Sequence, residues 1–265
     1  MTEMSGICLR GNEVVIVNDK DNLLSIYPFS NLSGLASLVI DLATLKGAPK
    51  DLKGQWEAVA CKSDGSLVLL QESPARVLNV SKDLKSISSV HDLIIEGALS
   101  KTLNWHKDSN SLGEGIILGD SGSIIVVKEK DPVQLIEFSQ DKKKKTAYKR
   151  KEKDFKGFVK GPLYAVNNWS LPISYLKKIK DVSDIFQHLD GSLYLLSDQS
   201  RNISRLIPGL SEKGGSFLVE KTWKLPKRIK KPEGFFLDKK NRAIIVVDSK
   251  KVRAKGNLFI TSPLF

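Results

Sequence analysis

Pairs of oxygen-bearing side chains recur along this chain at almost one spacing. Glu57 is followed by Glu72, Glu114 by Glu129 and Glu233 by Asp248, each after fifteen residues. Ser183 stands in the same relation to Asp198, and Ser5 precedes Asp19 by fourteen. Carboxylates gathered in one place repel each other and resist burial. One remedy is a hard cation, since Ca²⁺ takes six to eight oxygen ligands in loose geometry. The other is pairing with basic neighbours, and Arg76, Lys128, Lys130 and Arg201 all stand beside the later acids. Both remedies stay open at this point.

The elements that carry these residues read as hairpins. In EAVACKSDGSLVLLQES, EGIILGDSGSIIVVKEK, SDIFQHLDGSLYLLSDQS, EGFFLDKKNRAIIVVDSK and the shorter SGICLRGNEVVIVNDKDN, two apolar runs flank a tight polar turn. That is antiparallel strand chemistry. A third run follows in each copy (LLSIYPF, RVLNV, VQLIEF, ISRLI, NLFI), and in some a fourth (SLVIDL, VHDLII, TWKL). Repeated four-stranded antiparallel units predict an all-β fold, a β-propeller forming one domain over residues 1–265. Unit starts at 5, 57, 114, 183 and 233 favour five blades; six would require a degenerate blade within residues 139–180. An edge strand left open is a hazard, so an N-terminal strand is expected to complete the last, short blade.

In a blade the first strand lines the central channel and the second runs back beside it, so both acids of a pair emerge on one face. Glu57, Glu114 and Glu233, with Ser5 and Ser183 in equivalent places, are therefore expected around one channel mouth. Asp19, Glu72, Glu129, Asp198 and Asp248 form a second ring slightly further out. Trp56, just before one inner strand, either walls the mouth or packs between blades.

The net charge of +12 is uneven. From Lys142 to Lys160 ten Lys or Arg face two acids, Glu152 and Asp154, a local excess of +8. Residues 141–157 read as a lysine-rich mobile insertion between the third and fourth units, with little apolar burial. Lys142, Lys143, Lys144, Lys145, Lys149, Arg150 and Lys151 are its candidates for contacting nucleic acid or another polyanion; the alternative is a purely solubilising loop. A second basic run, KLPKRIKKPEG from Lys224, either joins it in space or stands apart. The opening MTEMSGICLRGNEVVIVN has no apolar run of signal-peptide length, and no segment approaches a membrane span. A cytoplasmic protein is the expectation, with Cys8 and Cys61 as reduced core thiols.

The runs WEAVACKSDGSLVLLQESPARVLNV, LGEGIILGDSGSIIVVKEKDPVQLIEF, VSDIFQHLDGSLYLLSDQSRNISRL and PEGFFLDKK resemble the SdiA-regulated β-propeller family. More distantly they are similar to the esterase-like domain of phytase and to gluconolactonase or paraoxonase propellers. The resemblance implies that Glu114 with Gly115, and Glu233 with Gly234, match a Glu-Gly motif that helps hold a catalytic Ca²⁺ in the lactonase-like relatives. Ala58 replaces the glycine after Glu57. Ser183 replaces the fourth glutamate, and Asp184, displaced by one, is expected to turn away from the channel. The lactonases' asparagine ligands have no counterpart here.

Other chemistries lack their residues. The chain has no phosphate-binding glycine loop and no CxxC or HExxH pair. GDSGS at Gly119 lies on a turn without partners, and His91, His106 and His188 are scattered. Two functions remain. One is a non-catalytic binding or scaffold module whose mouth takes a divalent cation, a small molecule or a protein partner. The other is a calcium-dependent esterase, lactonase or phosphoesterase with Glu57, Glu114 and Glu233 as metal ligands.

Overall fold

A computed structural model describes residues 3–105, 112–119, 122–143, 148, 155, 157–249 and 257–265. The first repeat folds as β1 (Met4–Arg10), β2 (Glu13–Asn18), β3 (Leu23–Pro28) and β4 (Leu38–Asp41), an antiparallel sheet in that order. The second gives β5 (Trp56–Cys61), β6 (Leu67–Gln71), β7 (Arg76–Val80) and β8 (Ile87–Ile94), followed by the short helix α1 (Gly97–Leu103). The third gives β9 (Gly113–Leu118), β10 (Ile124–Lys128), β11 (Gln134–Ser139) and β12 (Leu163–Ser170). In the fourth, β13 (Asp184–Gln187), β14 (Leu193–Ser197), β15 (Asn202–Leu206) and β17 (Val219–Lys224) form the sheet, while β16 (Gly215–Ser216) pairs with β12. The fifth contains β18 (Pro232–Leu237), β19 (Arg242–Val247) and β20 (Leu258–Pro263). The fold is a β-propeller of antiparallel sheets.

Apolar side chains alternate along each strand and fill the spaces between neighbouring sheets. Val15, Leu24, Val59 and Leu69 pack between the first and second units; Val68, Leu70, Val126 and Ile136 pack between the second and third. Ile117, Leu135, Ile185 and Leu195 join the third to the fourth, and Leu196, Ile203, Phe235 and Ile245 the fourth to the fifth. The fifth meets the first through Met4, Ile7, Ile16, Phe236 and Ile244. Closure is therefore made by packing. Among the described residues no N-terminal strand joins β20, contrary to the sequence expectation, because β1 is already committed as the first unit's inner strand. Leu163–Ser170, the stretch that a sixth unit would have needed, is the outer strand β12, and it also pairs in parallel with β8.

Around the axis the inner strands approach more closely than side chains would permit. A Cβ on Gly6 would lie 2.7 Å from the Ala58 Cα, one on Gly115 2.6 Å from the Ile185 amide nitrogen, and one on Gly234 2.6 Å from the Ser5 carbonyl oxygen. The Glu-Gly spacing thus has a packing cause: the residue after each inner glutamate faces the next inner strand. The same proximity joins Cys8 on β1 to Cys61 on β5 in a disulfide, with their Cα atoms 5.7 Å apart. The expectation of two reduced thiols is corrected here. Their 53-residue separation concealed that adjacent inner strands bring them opposite each other.

Most of the lysine block lies outside the described residues, including Lys144, Lys145, Lys149, Arg150 and Lys151. Its two aromatics are described, and they do not match a segment with little burial. Tyr148 is buried among the core of the third and fourth units, and its hydroxyl donates to the Gly191 carbonyl at 3.1 Å. Phe155 packs against Phe158 in the core of the second and third.

Two outcomes follow from the ring of close approaches. Gly234→Val should lower the unfolding free energy in urea by about 3 kcal/mol, since the neighbour is rigid backbone. Thiol titration of denatured, unreduced protein should find no free cysteine, and reduction should destabilise by up to about 4 kcal/mol. Two titratable thiols in the unreduced protein would contradict the bridge.

Candidate ligand site at the channel mouth

The inner glutamates are set by β-bulges. Trp56 pairs with Gln71 and Ala58 with Leu70, so Glu57 is an extra residue with no partner in the ladder. Glu114 is likewise extra between the pairs Gly113–Lys128 and Gly115–Val127, and Glu233 between Pro232–Val247 and Gly234–Val246. A bulge re-aims its side chain out of the sheet. Repeated at three inner strand starts, it delivers three glutamates to the axis. β1 is also irregular between Met4 and Ile7, at Ser5 and Gly6.

A cavity of about 240 Å³ opens at this mouth. Glu57, Glu114 and Glu233 line it, with Ser5 and Ser183, as the hairpin geometry predicts. Of the outer acids, Asp19, Glu129, Asp198 and Asp248 also line it; Glu72 does not, and its carboxylate accepts the Leu112 amide at 3.0 Å. Glu3 and Asp181 complete the acidic wall. The two serines face away from a ligand: Ser5 donates to the Trp56 carbonyl, and Ser183 to the Pro232 carbonyl at 2.7 Å. They act as clasps between neighbouring inner strands. Trp56 is fully buried, its indole N–H donating to Asn22, so it packs between units and does not wall the mouth.

The charge balance is uneven between the rings. Outer acids find partners: Lys130 meets Glu129 at 2.8 Å, Lys231 meets Asp248 at 2.6 Å, and Lys20 meets Glu3 at 2.7 Å. Asp181 accepts from the Ser197 hydroxyl at 2.5 Å and the Gln199 amide at 3.1 Å. Of the bases expected from sequence, Lys130 pairs at the mouth as a counter-charge, whereas Arg76 contacts Asp51 at 3.1 Å, away from the mouth. Lys128 donates to the Lys130 carbonyl.

The inner three lack such help. Glu57, Glu114 and Glu233 retain some surface towards the cavity, but protein surrounds them otherwise. Burial, and then the neighbouring carboxylates, hold Glu57 and Glu114 well above the ordinary carboxyl range. Burial first, then Asp198 and Asp248, push Glu233 up to about 8, against a smaller opposing pull from Lys231. Asp19 and Asp198 are raised as well, chiefly by burial. At neutral pH Glu233 therefore favours its protonated form, and the charged forms of Glu57 and Glu114 are disfavoured in the same way.

A preformed metal centre is not what these side chains make. Among the described residues no three His, Cys, Asp or Glu side chains converge closely enough to hold a metal ion. The carboxyls are instead spread around the cavity wall.

The opposite end of the channel differs in character. A cavity of about 630 Å³ is lined there by apolar residues of the inner strands, including Ile7, Ile117 and Phe236. Asp184 borders it, which corrects the expectation that this side chain leaves the channel. Its carboxylate accepts the Ile185 amide at 2.7 Å and the Phe235 amide at 2.8 Å, clasping β13 to β18. His188 lies on this face beside Asp190, and His91 is buried on β8 with the Gly161 carbonyl and Ser89 hydroxyl as partners; His106 is outside the described residues. Of the polyanion candidates, Lys142 pairs with Glu96 at 2.5 Å and lies over the Tyr164 ring. Lys143 is exposed.

Antiparallel sheets around a central channel define the β-propeller class, and a solved structure aligning with a TM-score above 0.5 agrees on the fold. A protein of unknown function from Bacteroides caccae aligns over 98% of this chain and 78% of its own, with a TM-score of 0.52 and 11% identity. Virginiamycin B lyase from Staphylococcus aureus aligns over 98% and 70%, at 0.45 and 16%. A 6-phosphogluconolactonase-like protein from Bacteroides uniformis aligns over 96% and 68%, at 0.47 and 14%. Among curated proteins none matches the sequence significantly. A model of the SdiA-regulated family matches residues 18–249, and the chain belongs to that family.

The raised carboxyls carry a pH consequence. An acid whose folded pKa exceeds its unfolded value contributes stability that is complete below the unfolded value, near 4.5 for glutamate. That stability is lost as pH rises through the folded value. Without added cations the protein should therefore lose stability between about pH 4.5 and about 8, by up to roughly 4 kcal/mol from Glu233 alone. Glu233→Gln should flatten the decline and melt higher than wild type at about pH 8. Parallel pH profiles for the two proteins would contradict the burial of this charge.

Proposed function

We propose that the protein is a non-catalytic binding propeller whose channel mouth receives a small cationic ligand. The observation that carries the reading is the inner trio: Glu57, Glu114 and Glu233 line one cavity and make no ion pair among the described residues. An entering cation supplies the missing counter-charge. Carboxylate acceptors dispersed around about 240 Å³ match an organic cation with several N–H groups, such as an ammonium, guanidinium or polyamine, better than a spherical ion at a single point. Asp19 and Asp198, which make no ion pair among the described residues, add negative potential at the mouth that draws a cation inward.

The calcium-dependent hydrolase suggested by the family resemblance has the carboxylates but lacks a convergent ligand set, so no catalytic step is derived from it. Support for binding over catalysis comes from the serines at the mouth, both held by backbone carbonyls, and from His91 and His188, neither of which lines this cavity.

Melting curves at about pH 7.5 with spermidine, arginine, or calcium with and without chelator test the reading. A cation at a hundredfold excess over its dissociation constant should stabilise by about 2.7 kcal/mol, and Glu114→Gln should remove most of that gain. No shift with any cation would overturn the proposal. Calcium-dependent turnover of an ester or lactone, lost in Glu114→Gln, would overturn its non-catalytic part.

A further inference from the structure

The rim beside the mouth carries a basic surface that the acidic cavity does not explain. Three connections on the mouth face meet there. The first, between β12 and β13, presents Lys177, Lys178 and Lys180, all exposed. The second, between β14 and β15, presents Arg201. The third, between β17 and β18, presents Lys224, Lys227, Arg228 and Lys230. Hydrogen bonds tie them into one surface. Asn202 Nδ2 donates to the Lys178 carbonyl at 2.7 Å, and the Lys180 amide to the Ser200 hydroxyl at 3.0 Å. Lys224 Nζ donates to the Ser200 carbonyl at 3.0 Å, and the Leu225 amide to the Arg201 carbonyl at 2.9 Å.

None of these eight cations makes an ion pair among the described residues. Of the nearby acids, Asp248 is paired with Lys231, Asp181 accepts from Ser197 and Gln199, and Asp198 lies in the second connection beside Arg201. Eight cations against Asp181 and Asp198 leave the three connections strongly positive. Two exposed aliphatic side chains accompany it in the first connection: Ile173 is 84% exposed and Leu176 37%.

We infer that this rim is a docking surface for an anionic lipid bilayer. Each Lys or Arg near such a surface contributes about 1 kcal/mol, and exposed aliphatic residues enter the headgroup boundary. A nucleic acid would use the charges but has no place for Ile173. Single strands also need free aromatic faces. The aromatics at hand are committed, Tyr175 to packing against the third and fourth units and Trp223 to the Phe265 ring. No helix among the described residues is long and apolar enough to cross a membrane, and peripheral attachment requires none.

Co-sedimentation of the full chain with phosphatidylcholine vesicles, with and without about 30% phosphatidylserine, tests the inference. Binding is expected only with phosphatidylserine at about 0.1 M salt, and should be lost at about 0.5 M. The triple variant Lys227→Glu, Arg228→Glu, Lys230→Glu should reduce partitioning at least about tenfold with an unchanged melting temperature. Ile173→Ser should weaken it several-fold at constant charge. No binding at low salt overturns the inference. So does undiminished binding by the rim variant alongside loss when Lys142, Lys143, Lys144 and Lys145 are replaced by serine. Binding to a DNA duplex that is indifferent to Ile173→Ser, without vesicle binding, would assign the surface to nucleic acid instead.

Discussion

The near-contact of inner strands around the axis is the constraint on which the rest of this molecule depends. Gly6, Gly115 and Gly234 have no room for a Cβ, and the small Ala58 stands at the corresponding place in the second unit. That closeness permits hydroxyls and a carboxylate to clasp one inner strand to the next, through Ser5, Ser183 and Asp184. It also brings Cys8 to Cys61. With no strand shared between the first and last units among the described residues, these clasps and the interlocking apolar faces hold the ring closed.

The bulges turn that packing arrangement into a site. Where the ladder gains one residue, the side chain leaves the sheet and meets its counterparts from other units. Three glutamates so placed enter an environment that disfavours their charge, whereas Glu129 and Asp248 of the outer ring are matched by Lys130 and Lys231. The asymmetry between rings matters more than the number of acids. The inner trio is where a counter-charge is missing among the described residues, and the proposed cation ligand would supply it.

Much of this was legible in the spacing of residues. Two strands and a turn fix a fifteen-residue return, so the shared position of Glu57, Glu114 and Glu233 followed once the hairpins were recognised. What stayed hidden depends on neighbours remote in sequence. Period-two alternation says nothing of where a ladder gains a residue, so the bulges were unreadable. The disulfide requires knowing that β1 lies against β5, and the role of Asp184 that β13 lies against β18. Lys231 and Asp181 belong to turns, where spacing carries no register. The third unit's outer strand comes from beyond the lysine block, and the buried Tyr148 and half-buried Phe155 within that block escaped a reading based on charge.

Proton release on ligand binding tests the central claim most directly. If the inner carboxyls are held protonated by burial and ionise when a cation replaces the proton, the apparent binding enthalpy of a polyamine at about pH 7 must vary with the buffer's ionisation enthalpy. Calorimetry in phosphate, HEPES and Tris should show net proton release to the buffer, reduced in Glu233→Gln. Binding with no net proton release, or with the same release in that variant, would contradict the account.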